Sequence, residues 1–143
     1  MITYALLDCT MVTRATVEEV NLLLTQLTDS PRILTANEIK AITWRSKMVV
    51  ALDEHNAIKG MATLAVIHKL TGDTAVIEDV VVDASSSGRG IGTALVMKLI
   101  DLARACGIKK LELTSNPARA AANHLYQKLG FELRETNHYR MNL

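Results

Sequence analysis

The chain has 143 residues, the size of one ordinary domain, and 49% of them are hydrophobic, which excludes a disordered polypeptide. Lysine and arginine number 16 and aspartate and glutamate number 15. This balance excludes a whole-protein basic field that would attract nucleic acid or an anionic membrane, so any anion-binding site must be local.

The two cysteines, Cys9 and Cys106, are far apart and form no CxxC or Cys/His cluster. We therefore expect neither a disulfide framework nor a metal site, and reduced thiols are typical of a cytoplasmic protein. The first ten residues, MITYALLDCT, have no basic region and reach Asp8 early, so we do not expect a signal peptide. No apolar run is long enough to span a membrane.

Hydrophobic periodicity predicts the order β-α-α-β-β-β-α-β-α-β-β along the chain. Thr16 and Glu19 resemble a capping box for the first helix, and Thr35 and Glu38 mark the start of the second. The predicted helices cover residues 17–27, 35–45, 91–105 and 118–129. The predicted strands cover residues 2–8, 47–53, 57–70, 75–83, 109–115, 131–135 and 138–143.

Three hairpin-like strands precede the first β-α-β crossover, so the sheet should be mixed and not purely parallel. With no repeat, linker or low-complexity segment, residues 1–143 form a single α/β (α+β) domain in this interpretation. It has a sheet of about seven strands with helices on both faces.

The stretch SSSGRGIGTAL, residues 85–95, connects a predicted strand to a predicted helix and contains Gly88, Gly90 and Gly92. It fails the dinucleotide pattern GxGxxG because position 93 is Thr, and it lacks the Gly-Lys-Ser/Thr ending of a P-loop. Glycine N–H groups before a helix N-terminus, with Arg89 beside them, still suit a diphosphate. A plain strand-to-helix turn is the equally open alternative.

The order of motifs resembles the GNAT superfamily of acetyl-CoA-dependent N-acetyltransferases. Its phosphate loop, Gln/Arg-x-x-Gly-x-Gly/Ala, corresponds to residues 87–92, and LYQKLGF, residues 125–131, corresponds to a second signature. The EDVVV stretch, residues 78–82, is similar to the glucosamine-phosphate acetyltransferase branch. Ser87 departs from the family's Gln or Arg, and Arg89 is the residue expected to replace part of that charge.

The resemblance implies a site for acetyl-CoA as cosubstrate. The backbone of Val80, Val81 and Val82 would pair with the pantetheine arm, while their side chains belong to the core. We call residues 87–93 the glycine turn. The members of the turn expected to bind the diphosphate are Gly88, Arg89, Gly90, Ile91, Gly92 and Thr93.

The resemblance also implies that Tyr126 binds the cosubstrate and acts as general acid for the leaving thiolate. Packing of a helix tyrosine is the alternative. Asn116 would bind the coenzyme arm or a bridging water, or it is simply a turn residue before Pro117. Asn123 and Arg119 are weaker candidates on the same helix.

Glu78 and Asp79 are adjacent acids in an apolar strand, so strand alternation predicts that one of them faces the cleft. The resemblance implies that they bind the substrate amine, with Glu78 as the candidate catalytic base, although either acid could serve. Exposed charges without function are the alternative. Among the histidines, only His138 is a candidate for the acceptor side.

The predicted function is therefore transfer of an acetyl group from acetyl-CoA to a small primary amine. A GNAT domain that binds acyl-CoA as a sensor or partner module without turnover remains the alternative. A homodimer is usual in the family and is the expected assembly, whereas the sequence carries no motif that identifies the acceptor amine.

Overall fold

The computed structural model describes residues 1–143, which form two compact units, Met1–Leu113 and Thr114–Leu143. The single domain predicted from the sequence remains a prediction. No helix is both long enough and apolar enough to cross a bilayer.

The first unit contains three helices and five strands, and the second unit contains one helix. The helices are α1 (Arg14–Leu27), α2 (Ala36–Arg45), α3 (Ile91–Ala105) and α4 (Ala120–Lys128). The strands are β1 (Thr3–Leu7), β2 (Lys47–Leu52), β3 (Ile58–Ile67), β4 (Thr74–Val82) and β5 (Lys110–Glu112).

The five strands form one sheet in the order β1-β2-β3-β4-β5. The first three neighbouring pairs are antiparallel and β4 pairs with β5 in parallel, so the predicted mixed sheet is confirmed. Asp53 shapes the β2–β3 hairpin, because its Oδ1 accepts hydrogen bonds of 2.9 Å from the N–H groups of His55 and Ala57.

Helices cover both faces of the sheet. Val20 and Leu23 of α1 and Ile39 of α2 share one buried cluster with the sheet residues Val50 and Met61. On the other face α3 lies so close to β3 that a Cβ on Gly60 would come within 3.1 Å of Leu95 and 3.3 Å of Ile91. Gly60 therefore permits the close approach of α3 to the sheet.

The helix start predicted at Thr35 and Glu38 is confirmed, and it forms a capping box in which the Glu38 carboxylate accepts from the Thr35 N–H at 2.8 Å. The box predicted for α1 is wrong in its members. Thr13 is the N-cap and Thr16 completes the box. Glu19 instead accepts a hydrogen bond of 3.1 Å from the Ile58 N–H at the start of β3, a partner that only the tertiary fold supplies.

The strands predicted at residues 131–135 and 138–143 do not form, so the sheet has five strands and not about seven. Leu133, Tyr139 and Met141 in these segments are 81–90% exposed. Each segment carries few apolar side chains, and without burial nothing offsets the entropy cost of ordering an extended chain.

Candidate functional site

Strand β4 is interrupted by a bulge at the two adjacent acids. Met61 of β3 pairs with Val81 and Thr63 pairs with Glu78, so Ala62 alone faces the two residues Asp79 and Val80. Asp79 has a φ of 54°, in the left-handed region that Asp tolerates better than most residues. The simple alternation predicted for Glu78 and Asp79 is therefore wrong, because the bulge breaks it, and both acids are exposed.

One edge of β4 lacks a neighbouring strand from Ile77 onward. The parallel partner β5 pairs only with Thr74, Ala75 and Val76, whereas β4 continues to Val82. Val81 is 8% exposed and Val80 and Val82 are half-buried, as expected for side chains that pack in the core. The backbone of residues 77–82 consequently offers donors and acceptors on the β5 side for which no strand is present.

The glycine turn brings the chain from β4 to α3 through left-handed backbone. Gly88 has a φ of 77° and Gly90, the N-cap of α3, has a φ of 74°. No side chain caps α3. The first N–H of the helix that has a helical acceptor is that of Ala94, which donates to the Gly90 carbonyl at 3.0 Å. The N–H groups of Ile91, Gly92 and Thr93 therefore lack helical acceptors at the positive end of the helix dipole.

The space around the turn is open. A Cβ on Gly88 or Gly90 would meet nothing within 4 Å, so the chain itself leaves both positions open. Arg89 between them is exposed. Uncapped N–H groups, an adjacent guanidinium and open space are features that anion-binding sites at helix N-termini use.

Asp79 is the acid of β4 whose pKa is shifted from its ordinary value. Although the residue as a whole is exposed, the neighbouring chain withdraws the carboxyl partly from water, and this desolvation raises the pKa of Asp79 above its ordinary value. A carboxylate with a raised pKa is a better proton acceptor at neutral pH than an ordinary one.

The second unit holds the remaining predicted residues. Asn116 Oδ1 accepts from the Ala118 N–H at 2.9 Å, which is the turn role considered for it, and its amide NH₂ makes no hydrogen bond within the chain. Asn123 donates to the carbonyl oxygens of Asn116 and Arg119, each at 2.9 Å. This residue therefore stabilises the start of α4.

Tyr126 is half-buried on α4 and packs edge-on against Phe131, with ring centroids 6.0 Å apart and an interplanar angle of 72°. The Tyr126 hydroxyl makes no hydrogen bond within the chain, and it is not one of the buried polar atoms that lack a partner. The ring thus has a packing partner while the hydroxyl remains available to donate.

The histidines lie in both units. His68 Nδ1 lies 3.0 Å from Asp73 Oδ1, in a groove at the end of the first unit formed by Trp44, Arg45 and Cys106. None of the predicted site residues lines that groove. His138 is exposed, and no group of three or more His, Cys, Asp or Glu side chains could hold a metal ion.

Comparison with known proteins places this arrangement in a family. Residues 17–131 match the model of the Acetyltransferase (GNAT) family. The chain belongs to this family. The resemblance seen in the glycine turn and the LYQKLGF stretch is thereby confirmed, and the α+β fold with a mixed sheet is the GNAT fold.

Two curated relatives are glucosamine 6-phosphate N-acetyltransferases. The protein of Trypanosoma brucei brucei is 43% identical over 81 residues, which is 54% of this chain and 53% of that protein. A probable enzyme of this name from Oryza sativa subsp. japonica is 40% identical over 60 residues, 42% of this chain and 34% of that protein. The matches thus span about half or less of these GNAT proteins.

Among solved structures, an acetyltransferase of Trypanosoma brucei superposes with a TM-score of 0.81 at 29% identity, over 100% of both chains. The glucosamine-6-phosphate N-acetyltransferase of Arabidopsis thaliana superposes with a TM-score of 0.79 at 22% identity, over 99% of this chain and 98% of that one. The second likeness is one of GNAT fold alone.

Sequence reasoning missed one residue near the glycine turn. Gln26, in the last turn of α1, hydrogen-bonds the segment that leads into the turn, with its Oε1 at 2.8 Å from the Ala84 nitrogen. No local pattern signals this contact, because 58 positions separate the two residues.

Proposed function

We propose that this GNAT chain transfers the acetyl group of acetyl-CoA to a primary amine. The observation that carries the proposal is the continuity of three features in one stretch of chain: the bulge at Asp79, the strand edge of residues 77–82 without a partner, and the uncapped start of α3 at Gly90. Together they offer an extended backbone surface that leads directly to an anion site.

The cosubstrate supplies an activated thioester carbonyl, and the chain supplies its binding groups. The backbone of Val80, Val81 and Val82 pairs with the amide-containing arm as an added strand would. The N–H groups at the start of α3 bind the diphosphate. Arg89 adds the charge that Ser87 cannot, because a serine hydroxyl is neutral.

The acids of β4 serve the acceptor. An amine is protonated at neutral pH and must lose a proton before its nitrogen lone pair can attack the carbonyl carbon. Asp79, with its raised pKa, is the better candidate for accepting that proton, and Glu78 beside it binds the ammonium group. This division of roles chooses between the two acids, which the sequence left open.

Bond formation between the amine nitrogen and the carbonyl carbon is matched by cleavage of the carbon–sulfur bond. In the proposal, a backbone N–H of β4 donates to the carbonyl oxygen as it gains negative charge. Tyr126 donates its phenolic proton to the departing sulfur, a role that rests on the family resemblance and on a hydroxyl free of partners. The nitrogen loses its second proton as the amide forms, and that proton converts the Tyr126 phenolate back to the phenol. Asn116 binds the coenzyme arm through its free amide NH₂.

An amino-sugar phosphate is the first acceptor to test, because two relatives are named glucosamine 6-phosphate N-acetyltransferases. The EDVVV stretch that suggested this branch is also the bulged part of β4. Glucosamine 6-phosphate combines a primary amine for the acids with a phosphate, and simpler amines test whether the phosphate matters.

The deciding experiment measures release of free coenzyme A thiol from acetyl-CoA in the presence of single acceptors. The panel contains glucosamine 6-phosphate, glucosamine without phosphate, and glucose 6-phosphate as the matched compound without an amine. We expect thiol release with an amine and none with glucose 6-phosphate. Tight binding of acetyl-CoA without release for any amine would support the sensor alternative, and absence of binding would refute both.

The assembly and the location remain predictions. We expect a homodimer in the cytoplasm, which sedimentation of the purified protein and fractionation of the source cell would test. No nucleic acid or membrane partner is expected from the balanced charge.

A further inference from the structure

A side chain of α1 holds the segment that enters the glycine turn. Gln26 Oε1 accepts a hydrogen bond of 2.8 Å from the Ala84 N–H, and its Nε2 donates to Asp83 Oδ1 at 3.4 Å. No other side chain of α1 hydrogen-bonds residues 83–86. One amide group therefore binds both a backbone donor and a side-chain acceptor at the exit of β4.

Asp83 organises the same segment from within. Its Oδ2 accepts from the Ser85 hydroxyl at 2.6 Å, its Oδ1 accepts from the Ser85 N–H at 3.4 Å, and its carbonyl accepts from the Ser86 N–H at 2.8 Å. The hydrogen bonds from Ser85 lower the pKa of Asp83, so the carboxylate that Gln26 contacts is ionised at neutral pH. The short 3-10 turn Ala84–Ser86 thus has a fixed geometry that Gln26 connects to α1.

The far side of α1 is fixed to a different segment. Asn21 donates to the Leu34 carbonyl at 2.9 Å and accepts from the Leu34 N–H at 2.8 Å, which attaches the α1–α2 connection. Gln26 lies one residue before the end of the helix and is exposed. An exposed amide contributes little to global stability, so its two bonds matter mainly for where the bonded segment lies.

We propose that Gln26 is a positioning residue for acetyl-CoA binding, which sets where the glycine turn begins relative to β4. The inference rests on the proposed function, because it gives Gln26 a role only if the glycine turn binds the diphosphate. A shift of the Ala84–Ser86 turn moves Gly88 and Gly90 with it, and the orphan N–H groups of α3 then lose their alignment with the strand edge.

The test compares acetyl-CoA affinity, measured by calorimetry, with the melting temperature. Gln26→Met keeps the side-chain length and removes both hydrogen bonds. We expect the Kd for acetyl-CoA to rise by roughly threefold to tenfold, the usual effect of one or two lost hydrogen bonds. The value of kcat at saturating acetyl-CoA should stay at the wild-type level, and the melting temperature should barely change.

Asn21→Leu is the matched control on the same helix, since it also removes two side-chain hydrogen bonds. It should lower the melting temperature and leave the Kd for acetyl-CoA unchanged. Gln26→Glu places a second carboxylate against Asp83 and should weaken binding. In the double variant with Gln26→Glu and Asp83→Asn, the amide introduced at position 83 can donate a hydrogen bond to the carboxylate introduced at position 26. This variant should recover much of the affinity for acetyl-CoA, and Asp83→Asn alone is its reference.

The outcomes separate the two proposals. A wild-type protein that does not bind acetyl-CoA would overturn the proposed function and this inference with it. If the wild-type protein binds acetyl-CoA, two results would overturn the role of Gln26 alone. One is a Gln26→Met variant with an unchanged Kd, and the other is a double variant whose affinity is no higher than that of Gln26→Glu.

Discussion

Gly90 and Gly107 offer a controlled test of the diphosphate site, because they bracket α3 with the same strained backbone. Both have a φ of 74°, and a Cβ at either position would meet nothing within 4 Å. Gly90 is the N-cap in the glycine turn, whereas Gly107 follows the C-terminal end of the helix. The helix of 15 residues separates the two glycines by roughly 22 Å.

Alanine at either position should cost the same stability. Left-handed backbone disfavours a residue with a Cβ by about 1–2 kcal/mol, and the reduced freedom of the unfolded chain offsets part of this. We expect a net loss of about 1 kcal/mol, which lowers the melting temperature of a chain of this size by about 3–4 °C. No steric term is added at either site.

The two alanine variants should differ in their affinity for acetyl-CoA. The methyl group of Gly90→Ala occupies the open space where phosphate oxygens would approach the N–H groups of α3, so the Kd should rise tenfold or more. Gly107→Ala should bind as the wild type does. Calorimetry and thermal melts on both variants check this. Equal melting temperatures with equal, wild-type affinities would refute the assignment of the diphosphate to the glycine turn.

Three further variants test individual groups. Arg89→Ala should raise the KM for acetyl-CoA at low salt, and the difference should shrink at high salt because exposed charges are screened; an unchanged KM at low salt would leave binding to the backbone alone. Tyr126→Phe keeps the contact with Phe131, so kcat should fall by about a hundredfold with an unchanged melting temperature, and near wild-type turnover would make Tyr126 a packing residue. Asp79→Asn tolerates the left-handed backbone and should raise the melting temperature at pH 7. Because burial raises the folded-state pKa, ionisation destabilises the fold as pH rises above the ordinary Asp value, so the gain should vanish near pH 3; a gain independent of pH would exclude this cause.

Elements that depend on local chemistry were predictable from the sequence. The predicted bounds of α3 agree with the structure because apolar spacing and glycines at both ends define the helix. The N-terminus of α2 followed from Thr35 and Glu38, which interact with each other and need no distant partner. The glycine turn was recognisable because glycine adopts left-handed backbone at low cost, and Gly88 and Gly90 both do so.

Features that depend on distant partners were not predictable. The bulge at Asp79 arises from the register with β3, and nothing in EDVVV distinguishes it from a regular strand. Glu19 looked like a capping residue until β3 supplied the Ile58 N–H. The segments after Gly130 have strand-like patterns, but a strand also needs a neighbour and apolar area to bury, and neither is visible in a short pattern.

The costs in the first unit concentrate where the proposed site lies. Asp79 adopts left-handed backbone, its carboxyl is partly withdrawn from water, and the strand around it has an edge without a partner. All three features lie in residues 77–90, the stretch that ends at the uncapped start of α3. A stretch selected for stability alone would place glycine at the bulge, pair the edge and cap the helix, each by a single substitution or a short extension of β5. One ligand could bind both the unpaired backbone groups of the strand edge and the uncapped N–H groups of the helix start if it had amide groups along an arm and an anion at its end. The pantetheine arm and the diphosphate of coenzyme A meet both requirements, whereas a ligand with only an arm or only an anion would meet one.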